Sequence, residues 1–326
     1  MKRILAADIG GTHSRFGYFK VDEKRELSLV ETQWIDTAKA TSFSHLLDLL
    51  KKTPFSLSPE QSDIAVLAVA GPVTKGGSSN PPNIDWSIDV SNSAEDFKLQ
   101  RCRLINDFAA QAYACRSPAA ESARPVLPGQ IDPDATLAVI GAGTGLGMSA
   151  LVPDGAGGFM AVPSEGGHGA LPFESPAEFD FMKFIISELD VPYVENEFVV
   201  SGRGLSLIHQ FISGEVLTPA EIGNNIPQDS KTFRWMARFY GRACRNYALQ
   251  VIARGGVYIA GGIAAKVPAL ITHPEFKLQF HKSKSMRTVL ESIPVLLITN
   301  EESGLWGAAY SAAQTLKQQG GFQAEH

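Results

Sequence analysis

Cysteine is scarce in this 326-residue chain: Cys102, Cys115 and Cys244 are odd in number and show no CxxC spacing. That usage excludes a disulfide framework and a structural zinc site, and it fits reduced thiols in a cytoplasmic protein. Long apolar runs are missing as well. Glycine and charge break every candidate well short of the roughly 18 residues of a spanning helix. The basic start Met1-Lys2-Arg3 leads into an apolar stretch that Asp8 cuts short, far below the length of an export signal. An excess of positive charge is also lacking. With 29 Lys and Arg against 34 Asp and Glu, the net charge is -5, and the cations are scattered. Neither nucleic acid nor an anionic membrane finds a footprint, so small ligands are the expected partners. Two phosphate-binding signatures are absent: there is no GxxxxGK[ST], and Leu146 stands where a GxGxxG would need its third glycine.

What is present is ample apolar material, 44% of the residues, in a chain long enough for two packed units. Strand and helix patterns alternate, as in α/β proteins. Residues 4–9 read as a buried strand that turns at Gly10-Gly11 into a second strand, 16–21, with 27–35 as a third and 64–73 as a fourth. Residues 46–50 look helical, 75–83 have the Gly, Ser, Pro and Asn content of a surface loop, and a short strand ends at Asn106-Asp107 before a helix over 108–116. Residues 117–133, rich in proline, suit a crossing between domains. The second half repeats the opening: strand 137–140, the turn Gly141-Ala142-Gly143-Thr144-Gly145-Leu146-Gly147, then another apolar stretch. Two halves on one plan are therefore expected. Ser175, Pro176 and Glu178 mark a helix start, with Phe179, Met182, Ile186 and Leu189 following at helical spacing. A longer helix covers 231–254, with its stripe at Phe233, Met236, Tyr240, Cys244, Tyr247 and Val251 and its end at Gly255-Gly256. Strands 257–260 and 295–299 and a helix over 305–316 complete the pattern, with a disordered tail from Gln318.

The residues that can carry chemistry sit at these junctions. A glycine-threonine turn lets the backbone approach an anion and aim N–H groups at it, although glycines that only let strands turn would look the same. Asp8 ends a buried strand, where a carboxylate needs a pairing partner, a turn to cap or a metal. Asn106-Asp107 reads either as a helix cap or as a carboxylate at the carboxyl end of a strand, placed to accept the proton of an attacking hydroxyl. In Pro163-Ser164-Glu165-Gly166-Gly167-His168 two glycines let a carboxylate and an imidazole face one concave space, as sugar hydroxyls would require; a solvated turn is the plain alternative. Glu197, before the strand-like 198–200 and the turn Ser201-Gly202-Arg203-Gly204, is weaker alone. The glycines of Ile259-Ala260-Gly261-Gly262-Ile263 suit either a planar base or close helix packing.

In order along the chain, DIGGTHSR, LINDFAAQAYA, GAGTGLG, SEGGH, EFVVSG and YIAGGIA resemble the bacterial glucokinase family of the actin-like ATPase superfamily, outside its ROK branch, over nearly the whole length. The resemblance implies an α/β fold of two actin-like (ribonuclease H-like) domains with a ligand cleft between them: a small domain of 1–117 plus the helix from about 305, and a large one of 118–304. It implies phosphorylation of glucose at the 6-hydroxyl by Mg-ATP. Asn106, Asp107, Glu165, His168 and Glu197 would hold glucose, with Asn83 a further contact and Asp107 the general base. Asp8, Gly10, Gly11, Thr12, Gly143 and Thr144 would surround Mg, held by Asp8 through water, and the ATP phosphates, with Gly141 and Gly145 beside them and Gly261 and Gly262 along the adenosine. Glucose, ATP and a second copy of the chain are the implied partners. Departures from the family pattern are Phe198 for an arginine and Arg203 and Ala265 for prolines, with an atypical loop before Trp86. The cysteine-rich zinc motif of the related ROK kinases and repressors has no counterpart in residues 169–174. A sugar-sensing regulator would need a DNA-binding module, and a kinase for another hexose remains open because epimers share most hydroxyl contacts.

Overall fold

A computed structural model describes residues 1–24 and 26–320, with the side chains of 318–320 left aside. Residues 321–326 of the expected tail lie outside the described residues, and the three before them continue the last helix, Ser303–Gly320. The chain divides into two compact units: Met1–Ser122 with Asp154–Ala161 and the stretch from Asn300, and Ala123–Pro153 with Val162–Thr299. Residues 118–122, 154–161 and 300–304, expected in the second unit, thus pack with the first.

The first unit is built on strands β1 (Lys2–Ile9), β2 (His13–Val21), β3 (Leu27–Asp36), β4 (Ile64–Val69), the short pair β5 (Ser78–Ser79) and β6 (Ile88–Asp89), and β7 (Cys102–Asn106). Its main sheet runs β3-β2-β1-β4-β7; β2 lies antiparallel to β1, and β4 and β7 follow in parallel. Both faces of β1 are covered. Leu5, Ala7 and Ile9 join the core with Phe16, Phe43 and Leu46, whereas Ile4 and Ala6 pack with Phe19, Leu305, Ala308 and Ala312 of the last helix. This is the period of two expected of a strand buried on both sides. The last helix also crosses helix Asp107–Ala114, where a Cβ on Gly307 would overlap the carbonyl oxygen of Ala110.

The second sheet is formed by β8 (Arg124–Leu127), β9 (Leu137–Ala142), β10 (Leu146–Pro153), β11 (Phe159–Ser164), β12 (Val257–Ala260) and β13 (Val295–Leu297), all of the second unit except residues 159–161 of β11, which count with the first. The order is β11-β10-β9-β12-β13-β8. Again an antiparallel hairpin, β9 and β10, is extended by parallel strands, β12 and β13. The plan of the first sheet recurs strand for strand, with β8 added at the edge. The expected crossing over 117–133 therefore contains a strand, and the loop over 75–83 contains β5.

Helix Pro176–Leu189 begins as read, with the Ser175 hydroxyl accepting from the Glu178 N–H at 3.3 Å. Its buried face differs from the expected stripe: Phe181 and Ile185 are sealed and Phe179 is 44% exposed. Helix Lys231–Val251 stops three residues early, on Ile252 in the left-handed conformation (φ 49°) and not at the glycines. Residues expected as strand and turn around Phe198 and Gly202 form helices Asn196–Val199 and Gly202–Ser213, the latter capped by Ser201.

The two long helices of this unit are joined by a buried ion pair. Arg242 grips Glu178 at 2.8 and 3.1 Å and donates to the Pro172 carbonyl at 2.7 Å, with both side chains almost wholly buried. Burial alone would raise the Glu178 carboxyl. The hydrogen bonds from Arg242 and the Glu174 N–H, with the charges of Arg242 and Arg238, outweigh it and hold the group below its ordinary value. A depressed carboxyl contributes stability above its unfolded value and loses it as pH falls through the folded one. Arg242→Leu leaves the buried carboxylate only the Glu174 N–H and the more distant Arg238, and is expected to cost about 3–5 kcal/mol. Glu178→Met with Arg242→Leu should recover most of that, read as thermal midpoints at pH 7; a double variant no better than the single one contradicts this account.

Candidate active site

In the first unit the expected residues gather at the carboxyl ends of the parallel strands. Ile9, Val69 and Asn106 are register neighbours across β1, β4 and β7, and the next residues in each strand form the rim. Asp8 pairs across the hairpin with Arg15. Burial lifts its carboxyl above the ordinary value, and the Arg15 charge opposes this. Arg15 itself is fixed, stacked at 3.7 Å on Trp34 and donating to the Glu301 carbonyl at 2.6 Å. Gly304 at the start of the last helix packs on the carboxylate, since a Cβ there would lie 2.7 Å from Asp8 Oδ2. At the hairpin tip the Gly10 N–H bonds the His13 carbonyl, and a Cβ on Gly11 would stand 2.7 Å from the Asn83 carbonyl oxygen. Thr12 is exposed, and its carbonyl accepts from the Thr37 N–H at 2.9 Å. Asn83, with φ 73°, is brought against this tip.

The two readings of Asn106-Asp107 separate by residue. Asn106 is the cap: its Oδ1 accepts from the N–H groups of Phe108 and Ala109, and its Nδ2 donates to the Gly71 carbonyl at 3.1 Å. Asp107 is the first helical residue and half-buried, with Oδ1 2.9 Å from the Phe108 N–H. The positive end of a helix favours a carboxylate there.

In the second unit the turn after β9 and the loop after β12 meet. The Gly143 N–H bonds the Gly145 carbonyl, and the Gly202 N–H bonds the Gly143 carbonyl, both at 2.9 Å. Gly261 has φ 88°, and a Cβ on it would stand 2.6 Å from the Ala142 carbonyl oxygen, so glycine is required twice over. Gly143, Thr144 and Gly262 open onto a cleft of about 840 Å³ completed by Arg203, Thr218, Pro219, Gly223, Lys266 and their neighbours. Gly141 does not reach it: this glycine is buried within β9, paired with Gly147 and Ala260. Two departures from the family pattern meet where Arg203 of the cleft wall holds its guanidinium 5.8 Å from the centre of the Phe198 ring.

Glu165, His168 and Glu197 form a second cluster. A Cβ on Gly167 would overlap the Leu146 carbonyl, so the SEGGH turn lies flat on β10. Glu197 is tucked under the hairpin, its Oε2 where a Cβ on Gly145 would be 2.6 Å away and 3.5 Å from the Leu146 N–H. His168 Nδ1 lies 2.7 Å from Glu195 and 3.8 Å from Glu197, and its Nε2 lies 3.8 Å from Glu165. Ligand-type atoms of His168, Glu195 and Glu197 all fall within 4.8 Å. The hydrogen bond to Glu195 accounts for that closeness without an ion.

Sequence reasoning missed Glu195, and Asn196, whose amide donates to the Gly166 and Gly169 carbonyls at 3.0 Å. Neither left a pattern, because both act across a gap of some 27 residues. The cleft residues around Thr218-Pro219 had one signal, a capping box with Glu221 that announces a helix but no ligand.

The glucokinase family model matches residues 5–315. The chain belongs to the glucokinase family. A glucokinase of Trichormus variabilis is 32% identical over 346 residues, covering 96% of this chain and all of that one. A crystal structure of a glucokinase from an Antarctic psychrotroph superimposes with a TM-score of 0.83 at 29% identity, over 95% of this chain and 98% of that one. A ROK-family glucokinase of Streptomyces griseus, in complex with glucose and AMPPNP, shares the fold at a TM-score of 0.62 and 20% identity, covering 96% and 99%.

Glucokinase-family membership makes the Gly145–Glu197 contact measurable. Gly145→Ala must displace the Glu197 carboxylate, and a displacement of about 1 Å is expected to lower kcat/KM for glucose on the order of 10²-fold. The thermal midpoint should barely move; unchanged glucose kinetics would mean that Glu197 has no part in the reaction.

Proposed function

We propose a residue-level account of the reaction that membership of the glucokinase family assigns to this chain, transfer of the terminal phosphoryl group of ATP to the 6-hydroxyl of glucose. The observation that carries it is the recurrence of one device. In each unit a glycine-threonine hairpin ends the central strand, next to Asp8 and at the same end of the sheet as Asp107 in the first and on the 840 Å³ cleft in the second.

Asp107 accepts the proton of the attacking hydroxyl, and Asn106 fixes it by capping the helix that it begins. The Asn106 amide has one further N–H with which to meet the sugar. Glu165, His168 and Glu197 are assigned to other hydroxyls, where two acceptors and an imidazole match the donor and acceptor character of a polyol. Asn83 holds the hairpin tip and is assigned a peripheral sugar contact. The Gly10 and Gly143 N–H groups are used within their own turns. Those of Gly11, Thr12, Thr144 and Gly145, with the threonine hydroxyls, are therefore assigned to the phosphates.

Adenosine is assigned to the cleft at Gly261 and Gly262; glucose and AMPPNP in the Streptomyces griseus relative support that pair of ligands. A buried carboxylate with a raised proton affinity fits a magnesium site, so Asp8, acting through water, would hold the ion that neutralises phosphate charge. Arg15, locked in place, balances Asp8 when no cation is near. Three free cysteines and, among the described residues, no helix long and apolar enough to cross a membrane fit a cytoplasmic enzyme. A homodimer completes the reading, to be checked by sedimentation.

Asp107→Ala is expected to lower kcat by about 10² to 10⁴-fold while calorimetry still records glucose binding. Turnover near the parent level removes the general base from this account. A second variant tests the nucleotide end. A Cβ on Gly262 meets nothing within 4 Å, so Gly262→Leu fills the cleft without straining the backbone. KM for ATP should rise at least about tenfold with glucose binding intact; an unchanged ATP KM places the adenosine elsewhere.

A further inference from the structure

The side chain of Glu195 does nothing for the helix it introduces. It occupies the cap position of Asn196–Val199 yet makes no capping bond, while its backbone does the structural work by bridging to Ala170 and accepting from the Phe198 N–H. Its carboxylate, 19% exposed, lies instead 2.7 Å from His168 Nδ1. Around the imidazole the other groups stand farther off. Glu197 is 3.8 Å from the same nitrogen and Glu165 is 3.8 Å from Nε2, while the Tyr193 hydroxyl reaches only the His168 carbonyl, at 3.5 Å. One ring nitrogen is committed and the other is left to a ligand.

Resting on the sugar site proposed above, we propose that Glu195 is a positioning residue: it accepts a hydrogen bond from Nδ1–H of His168, fixes the ring in its charged form, and presents Nε2–H as a donor to a glucose hydroxyl. Glu165 and Glu197 remain acceptors, so the site offers both hydrogen-bonding senses to one sugar. A neutral ring held by Nδ1–H would offer Nε2 only as an acceptor. The bond to Glu195 is the largest influence that keeps the imidazolium above its ordinary value; burial opposes it, and the charges of Glu197, Glu195 and Glu165 add to it. The donor form is therefore kept into higher pH and lost as pH rises through the raised value.

The test is the pH dependence of glucose kinetics from pH 6 to 9. Glu195→Gln removes the charge but not the volume, and its glucose KM should rise about tenfold at pH 8, with the gap closing toward pH 6 where the ring is charged unaided. kcat should stay within about threefold, since the reacting hydroxyl is served elsewhere. Glu195→Asp, which restores the charge, should recover part of the affinity. In nitrogen-15 spectra the His168 titration should move to lower pH in Glu195→Gln. A glucose KM that follows the parent profile, or an unmoved His168 titration, overturns the proposal. His168→Gln and Glu165→Gln separate the two levels. If both weaken glucose and Glu195→Gln does not, only the positioning role fails; if neither does, the sugar site itself is misassigned and the role falls with it.

Discussion

The absence of a Cβ at a few positions is the constraint on which the rest of this structure depends. Gly11 lets the first hairpin touch Asn83, and Gly145 lets the second touch Glu197. Gly167 presses the SEGGH turn onto Leu146, and Gly261 presses the β12 loop onto Ala142. At Gly145 a methyl group would meet only the movable end of the Glu197 side chain, but at Gly11, Gly167 and Gly261 it would collide with backbone. Close-packed interiors do not yield to such a collision cheaply. The glycines thus act less as sources of flexibility than as points of contact, and the polar side chains are arranged by what those contacts allow.

Electrostatics are distributed on the same principle. The first unit holds Asp8 beside an arginine that is braced by an aromatic ring and a carbonyl, so the carboxylate has a standing counter-charge. The second unit surrounds one imidazole with three carboxylates and seals its only deeply buried arginine against Glu178. The last arrangement ties two helices of the scaffold together, and the first two stand at the sites proposed to carry the chemistry. They differ in exposure: His168 is 56% exposed and Arg242 is not exposed at all.

Local signals were legible where the physics is local. The hairpins at Gly10 and Gly143, the cap at Ser175 and the strand alternation of β1 each depend on neighbours a few residues apart. Asn106 showed itself as a cap for the same reason. Legibility failed where a partner lies far along the chain. Phe179 has helical spacing but faces outward, because the aromatic cluster of Phe211, Trp235 and Phe239 draws Phe181 inward instead. The long helix ended on Ile252 although glycines stood three residues on, since the chain turns there to enter β12.

By itself the order of residues determined two halves on one plan, the glycine-threonine hairpins, Asp107 at a strand-to-helix junction and the family to which the chain belongs, because these are written in short motifs and in their sequence along the chain. Only the tertiary structure decided that Glu195 and not Glu197 holds the His168 ring, that Gly141 is a ladder residue, and that helix Pro219–Asn225 walls the cleft with Arg203. Those outcomes depend on which distant backbones approach within a hydrogen bond of one another, and no spacing along the chain encodes that distance.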